Sequence, residues 1–417
     1  MHVSRLQWFL PGVGIKRWFS LTFFGAISIG FSILLAVNAM ISYDRVAAMG
    51  LGFLRGRSFV AGVVVGGAFM VGVVALYRGL RGVMAFERVP SSTIDEIRKR
   101  ARLARGPRIV AVGGGSGLAA LLSGLKHYST NLTAIVTVAD DGGSSGRLRE
   151  DMGVLPPGDI RNCLVALADD ESLLSRLFQY RFEGGGMDGH SFGNLFVAAL
   201  ADVLGDFELA VKESTSVLKV RGRVLPATLD DVILHAQMRS GDEISGESTI
   251  TASEHLPLRI WLEPESPQPL PEALEAIEKA DLVVLGPGSV YTSIIPNLLV
   301  EGFCDALKRT RARVVYVCNV MTQPGETDDY SAADHLHALY RHGAAGSVDD
   351  IVVNSRPVSE DLAVAYGREG SRPVAIDESG LDALGVRIVR APVATEGSVV
   401  RHDSRRLAEV LLRLARR

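Results

Sequence analysis

The sequence predicts an α/β fold, a Rossmann-like and mostly parallel sheet with helices on both faces, preceded by two transmembrane helices. Three observations carry this. Two long charge-free apolar runs lie near the start, and from residue 107 onward short, continuously apolar segments alternate with helical ones. Polar, glycine-bearing loops follow several of those segments. A chain of 417 residues suggests two or three units. Three isolated cysteines, Cys163, Cys304 and Cys318, exclude a disulfide scaffold and offer no C-x-x-C metal spacing.

The first 105 residues hold 14 Lys/Arg against 4 Asp/Glu, whereas the remainder holds 30 against 43. A basic start joined to an acidic body reads as a membrane-facing part and a soluble part. Trp18–Tyr43 is 26 residues without a charge and Ser58–Tyr77 is 20 more, each long enough to cross a bilayer core as a helix. A signal peptide has a shorter apolar core and no second span behind it. The expected organisation is a membrane hairpin over 1–80 (spans about 18–42 and 58–77), a basic linker over 81–106 and an α/β domain over 107–417. Arg5, Lys16 and Arg17 before the spans and Arg78, Arg81 and Arg88 after them favour both ends inside, although Arg45, Arg55 and Arg57 sit in the loop between. Gly62-x-x-x-Gly66 and Ala68-x-x-x-Gly72 are spaced for close helix approach, within the hairpin or as a homodimer seam.

The soluble part opens with a strand, Arg108–Val112, the loop Gly113-Gly114-Gly115-Ser116-Gly117 and a helix from Leu118 to Leu125. A second strand, Thr133–Ala139, runs into Asp140-Asp141-Gly142. Gly115-x-Gly117-x-x-Ala120, with Asp140 following at about 20 residues, fits the tolerant dinucleotide fingerprint. Glycines let backbone N–H groups approach a diphosphate, the helix N-terminus adds partial positive charge, and the carboxylate accepts ribose hydroxyls. Tight strand–helix packing uses the same glycines. The geometry recurs where Ala280–Leu285 runs into Gly286-Pro287-Gly288-Ser289 and a helix start at Tyr291 and Thr292. The strand Ala312–Cys318 then leads into Asn319, Thr322 and Gln323. Ligands of open α/β sheets sit beyond the carboxyl ends of the strands, so these three loops are expected to share one crevice.

Two further stretches add candidates. Asp140 and Asp141 suit a hydrated magnesium ion or sugar hydroxyls. Pro157-Gly158-Asp159 reads as a turn opening a helix, in which Arg161, beside Asn162, suits a phosphate. His190 precedes a helix start carrying Asn194 and reads either as a cap and ligand contact or as an acid–base group. Strands at Ile351–Asn354 and Val386–Val389 and a closing amphipathic helix, Leu407–Leu414, complete the body. Residues 205–265 suggest a small β-rich insertion. The acidic body speaks against nucleic-acid binding.

The motifs GGGSGL (113–118), VTVADDGGSSGRLR (136–149), LPPGDIRNCLVALA (155–168), GHSFGNL (189–195), GPGSVYTSIIPNLL (286–299) and NVMTQPGET (319–327) occur in this order. Together they resemble the bacterial gluconeogenesis factor family (YvcK-type), of the CofD-like superfamily of 2-phospho-L-lactate transferases. Ser116 stands where that family usually has threonine, and the two spans are an addition to most members. The resemblance implies a CofD-like domain that binds a nucleotide sugar, UDP-N-acetylglucosamine or UDP-glucose, and acts in cell shape and wall synthesis during gluconeogenic growth. It also implies a cytoplasmic domain held at the bacterial inner membrane, with cell-wall synthesis proteins and a Ser/Thr kinase as partners. Carried onto this chain, Gly113 to Gly117 take the diphosphate. Asp140, Asp141 and Asn194 face the ribose, sugar or a cation. Gly288, Ser289, Tyr291 and Thr292 form a second wall, with Tyr291 placed to stack on uracil, and Asn319, Thr322 and Gln323 face the sugar. The family has no established catalytic activity or cofactor. A metal-dependent transferase using Asp140, Asp141 and Mg2+ is the alternative, and the fingerprint alone also admits an NAD-dependent oxidoreductase.

Overall fold

The computed structural model describes residues 16–48, 55–87, 98, 100–168 and 173–416, and divides at Arg102/Leu103 into two units. Part of the basic linker expected over 81–106, residues 88–97 and 99, lies outside the described residues, as do Arg5 and Arg88.

The first unit is an antiparallel pair of helices, α1 (Lys16–Ala48) and α2 (Arg55–Glu87). Within them Arg17–Ala39 and Val63–Gly82 are long and apolar enough to cross a membrane. Their seam is built on glycine. A Cβ on Gly79 would lie 2.6 Å from the Thr22 nitrogen, and one on Gly25 would lie 2.8 Å from the Gly72 oxygen. A Cβ on Gly82 would press into the Trp18 ring. Of the two expected small-residue pairs, Gly72 is in the seam but Gly66 faces open space. The helix phase therefore places Gly79 and Gly82, which the spacing argument passed over, where Gly66 was expected.

The second unit contains β1 (Ile109–Gly113), β2 (Leu132–Val136), β3 (Arg223–Pro226), β4 (Ile233–Met238), β5 (Glu243–Ser245) and β6 (Pro257–Glu263). These are followed by β7 (Leu282–Leu285), β8 (Arg313–Val317), β9 (Asp350–Asn354), β10 (Arg387–Ala391), β11 (Ala394–Glu396) and β12 (Val400–His402). Seven form one sheet in the order β10-β9-β8-β7-β1-β2-β3, every pair parallel. Helices cover both faces, so Val112, Ile135, Val284, Val315 and Val352 are fully buried and the strands read as unbroken apolar runs. The chain leaves β1 toward β2 but leaves β7 toward β8. Their shared edge is thus the switch point, where the two connecting loops splay apart and open a crevice.

β2 ends three residues earlier than the sequence suggests, which frees Thr137 to Gly142 as a loop. The β-rich insertion is the antiparallel sheet β5-β4-β6 with the short helix Glu247–Thr251. Phe207–Val217, inside the range expected for it, is a helix packed against β3. The closing helix, Ser404–Leu414, is capped by Asp403 and packs on the helix Gly115–Leu125.

Candidate functional site at the switch point

Three strand ends meet at the reversal. Gly114 is the N-cap of the helix Gly115–Leu125. A Cβ on it would lie 2.5 Å from Asp159 Oδ2 and 2.9 Å from Thr137 Cγ2. One on Gly117 would lie 2.5 Å from the Pro287 carbonyl oxygen. Gly115 (φ +65°) and Gly286 (φ +77°) turn the two loops through left-handed backbone that side chains resist. Ser293 lies among these glycines, its Cβ 3.4–3.5 Å from where side chains on Gly288 and Gly114 would begin. The glycines from β1 and β7 thus make one small-residue cradle.

Carboxyls line the neighbouring loops. Asp159 accepts the Gly115 N–H, and burial, with Asp140 nearby, pushes it up to about 6. Asp140 Oδ1 accepts the Gly142 N–H at 2.9 Å. Asp141 Oδ1 accepts the Ser248 N–H at 2.8 Å, which ties the insertion to this loop. The next residue back, Glu247, bonds the Thr292 side chain across the crevice, and burial followed by the Asp140 charge pushes it up to about 7. Among the described residues no three His, Cys, Asp or Glu side chains are grouped to hold a metal ion.

Both carboxyls bind protons more tightly folded than unfolded. Each therefore stabilises the fold fully below its ordinary value, 3.8 or 4.5, and loses that contribution as pH rises through about 6 or about 7. Asp159→Asn is expected to raise the melting temperature at pH 8 and to flatten its fall between pH 5 and pH 8. Calorimetric scans across that window check this; an unchanged slope refutes it.

Several expected ligand contacts are committed elsewhere. Arg161 is buried, donating to Ser191 Oγ and to Asn162 Oδ1, so it fixes a helix start instead of meeting a phosphate. Tyr291 is fully buried and its hydroxyl meets that of Tyr330 at 2.9 Å, which removes it as a stacking face for uracil. Ser289 Oγ and the N–H groups of Tyr291 (2.7 Å) and Thr292 (3.2 Å) all donate to Glu326. Asn319 Nδ2 donates to the Gly288 carbonyl at 3.0 Å. Thr322 Oγ1 accepts the Arg372 N–H, and the Gln323 N–H donates to Thr327. These bonds build the second wall, in which Tyr291 and Thr322 are buried while Ser289, Asn319 and Gln323 stay half-buried. Ser116 lines a separate hollow with Ser123 and Lys126. His190 Nδ1 lies 3.1 Å from Ser144 Oγ, and Asn194 Nδ2 lies 3.1 Å from the same oxygen.

Sequence reasoning missed Glu326, Glu247, Ser144 and Ser293. Glu326, Ser144 and Ser293 lie inside motifs it had marked, but Glu326 and Ser144 find their partners in other segments, and Ser293 meets Gly114 of the β1 loop. Nothing in the spacing links Glu247 to Asp141, which is over a hundred residues away.

The family described as 2-phospho-L-lactate transferase CofD matches residues 109–394. A protein of Bacillus subtilis named gluconeogenesis factor is 50% identical over 310 residues, 74% of this chain and 98% of its own. A relative from Nostoc sp., given the same name provisionally, is 46% identical over 431 residues, 98% of this chain and 92% of its own. A crystal structure of a Bacillus halodurans protein superposes with a TM-score of 0.72 at 49% identity, covering 74% of this chain and all of that one.

Proposed function

This chain belongs to the CofD family, among the relatives named gluconeogenesis factors, and from that premise we propose that it is a nucleotide-sugar-binding regulator of cell shape and wall synthesis. The crevice at the switch point carries the reading, because its two ends differ in chemistry. The end lined by Gly113–Gly115, Gly286, Gly288 and Ser293 brings side-chain-free backbone together beside a helix start, which suits a diphosphate. The end lined by Asp140 and Glu247 offers acceptors to the hydroxyls of a sugar. In this reading α1 and α2 anchor the α/β unit at the cytoplasmic face of the inner membrane. Ligand binding then shifts a conformational equilibrium that a wall-synthesis partner reads, which requires different affinity for the two states.

The test is calorimetric titration of the full chain, extracted in detergent from carbonate-washed membranes, with UDP-N-acetylglucosamine and UDP-glucose, with and without Mg2+. Saturable binding with the sugar recovered intact is the expected result. Metal-dependent conversion makes the chain a transferase, and absence from the washed membranes removes the anchor.

A further inference from the structure

The loop after β2 holds a second constellation that the nucleotide-sugar reading does not use. Gly142-Gly143-Ser144-Ser145-Gly146 has the G-x-S-x-G pattern and forms the N-cap and first turn of the helix Gly143–Met152, which follows the loop after β2. Gly143 takes left-handed backbone (φ +48°), and a Cβ there would meet nothing within 4 Å, so Gly143 opens onto free space beside the buried Ser144. The N-cap, Gly142, supplies no side-chain cap. The N–H groups of the first turn are thereby left for an external acceptor.

Ser144 Oγ sits between two buried groups, each at 3.1 Å. Asn194 Nδ2 donates to it. A hydroxyl has one proton, so with one side taken by a donor its own proton points at His190 Nδ1. Burial, and then the Arg147 guanidinium, hold the His190 imidazole below its ordinary value, so the ring is neutral and free to accept at Nδ1. Asn194 is 2% exposed and its Oδ1 has no partner among the described residues. A buried acceptor without a donor, beside a serine hydroxyl, marks a place where a bound group completes the bonding.

We propose that Ser144 and His190 form a nucleophile–base pair that takes the acyl group of an uncharged carboxylic ester. Ser144 Oγ adds to the carbonyl carbon while its proton passes to His190 Nδ1. The oxyanion that forms faces the N–H groups at the helix start. Collapse breaks the acyl C–O bond, and the proton on His190 goes to the departing alkoxide. Water then cleaves the acyl-serine by the same route, its proton taken by His190. Asp140 and Asp141, just ahead of the loop, disfavour a phosphoryl group at Ser144 itself and so favour an uncharged ester there.

The inference is independent of sugar binding, and its test needs no nucleotide. The full chain in detergent is treated with a fluorophosphonate, which loses fluoride on attack, and the adduct is located by mass spectrometry. Hydrolysis of p-nitrophenyl acetate is followed alongside. Labelling is expected at Ser144, and Ser144→Ala and His190→Gln are each expected to lower the ester rate by about 100-fold. The wild-type rate should already be level by pH 7. Ser144→Cys preserves the packing if alanine does not, and its thiol should react faster with iodoacetamide than the same thiol in a Ser144→Cys/His190→Gln chain. An unlabelled Ser144, an ester rate unaffected by Ser144→Ala, or thiol reactivity indifferent to His190 overturns the proposal.

Discussion

Glu326→Ala is expected to destabilise the α/β unit by about 3–5 kcal/mol, through three buried donors left unpaired, and to remove the second wall of the crevice. The Glu326 carboxylate is 3% exposed and accepts three hydrogen bonds, from Ser289 Oγ and from the N–H groups of Tyr291 and Thr292. It acts as an internal acceptor at the start of the segment Val290–Leu298 and sets the path of the Gly286–Ser289 loop, while burial pushes its carboxyl above the usual carboxylate range. Alanine leaves all three donors buried without an acceptor, at about 1–3 kcal/mol each before relaxation. Glutamine keeps the volume and one carbonyl oxygen, so Glu326→Gln should lose only about 1–2 kcal/mol. Urea unfolding of both variants checks this. A Glu326→Ala chain as stable as the wild type would mean that the loop holds itself.

That carboxylate also shows where sequence reading reaches its limit. The strands of the parallel sheet were legible because burial on both faces removes every polar residue from runs such as Leu282–Leu285. The convergence of the glycine loops was legible for a related reason, since the carboxyl ends of parallel strands all lie on one side. What each polar side chain does there depends on partners from other loops. Tyr291 reads as an exposed ring beside a ligand until Tyr330 and Arg341, 39 and 50 residues later, are brought to its hydroxyl. Thr322 and Gln323 read as hydroxyl and amide for a sugar, yet Thr322 is buried with its hydroxyl on the Arg372 N–H, and the Gln323 N–H closes a turn onto Thr327. A turn crossing the mouth of a sheet needs its own backbone partners before it has any to spare for a ligand.

Gly117→Ala is expected to weaken nucleotide-sugar binding by about 100-fold, or about 2.7 kcal/mol, while leaving the unit folded. Gly117 lies inside the helix Gly115–Leu125, where alanine by itself would favour the helix by up to about 1 kcal/mol. The added methyl instead lands 2.5 Å from the Pro287 oxygen and 2.9 Å from its carbonyl carbon. Both atoms are backbone, so no rotamer relieves the contact and the Gly286–Gly288 turn must move off the β1 loop. That opens the cradle where the diphosphate is proposed to sit. Gly124, on the same helix, provides the control. A Cβ there would come within 2.0 Å of the Ser404 oxygen, against the closing helix and not the crevice. Gly124→Ala should therefore cost about 1–3 kcal/mol of stability through overpacking, with affinity retained in the fraction that stays folded. Melting curves and titrations on the two variants separate the outcomes. If both lose stability and neither loses affinity selectively, the approach of the two glycine loops serves packing alone and the ligand lies elsewhere.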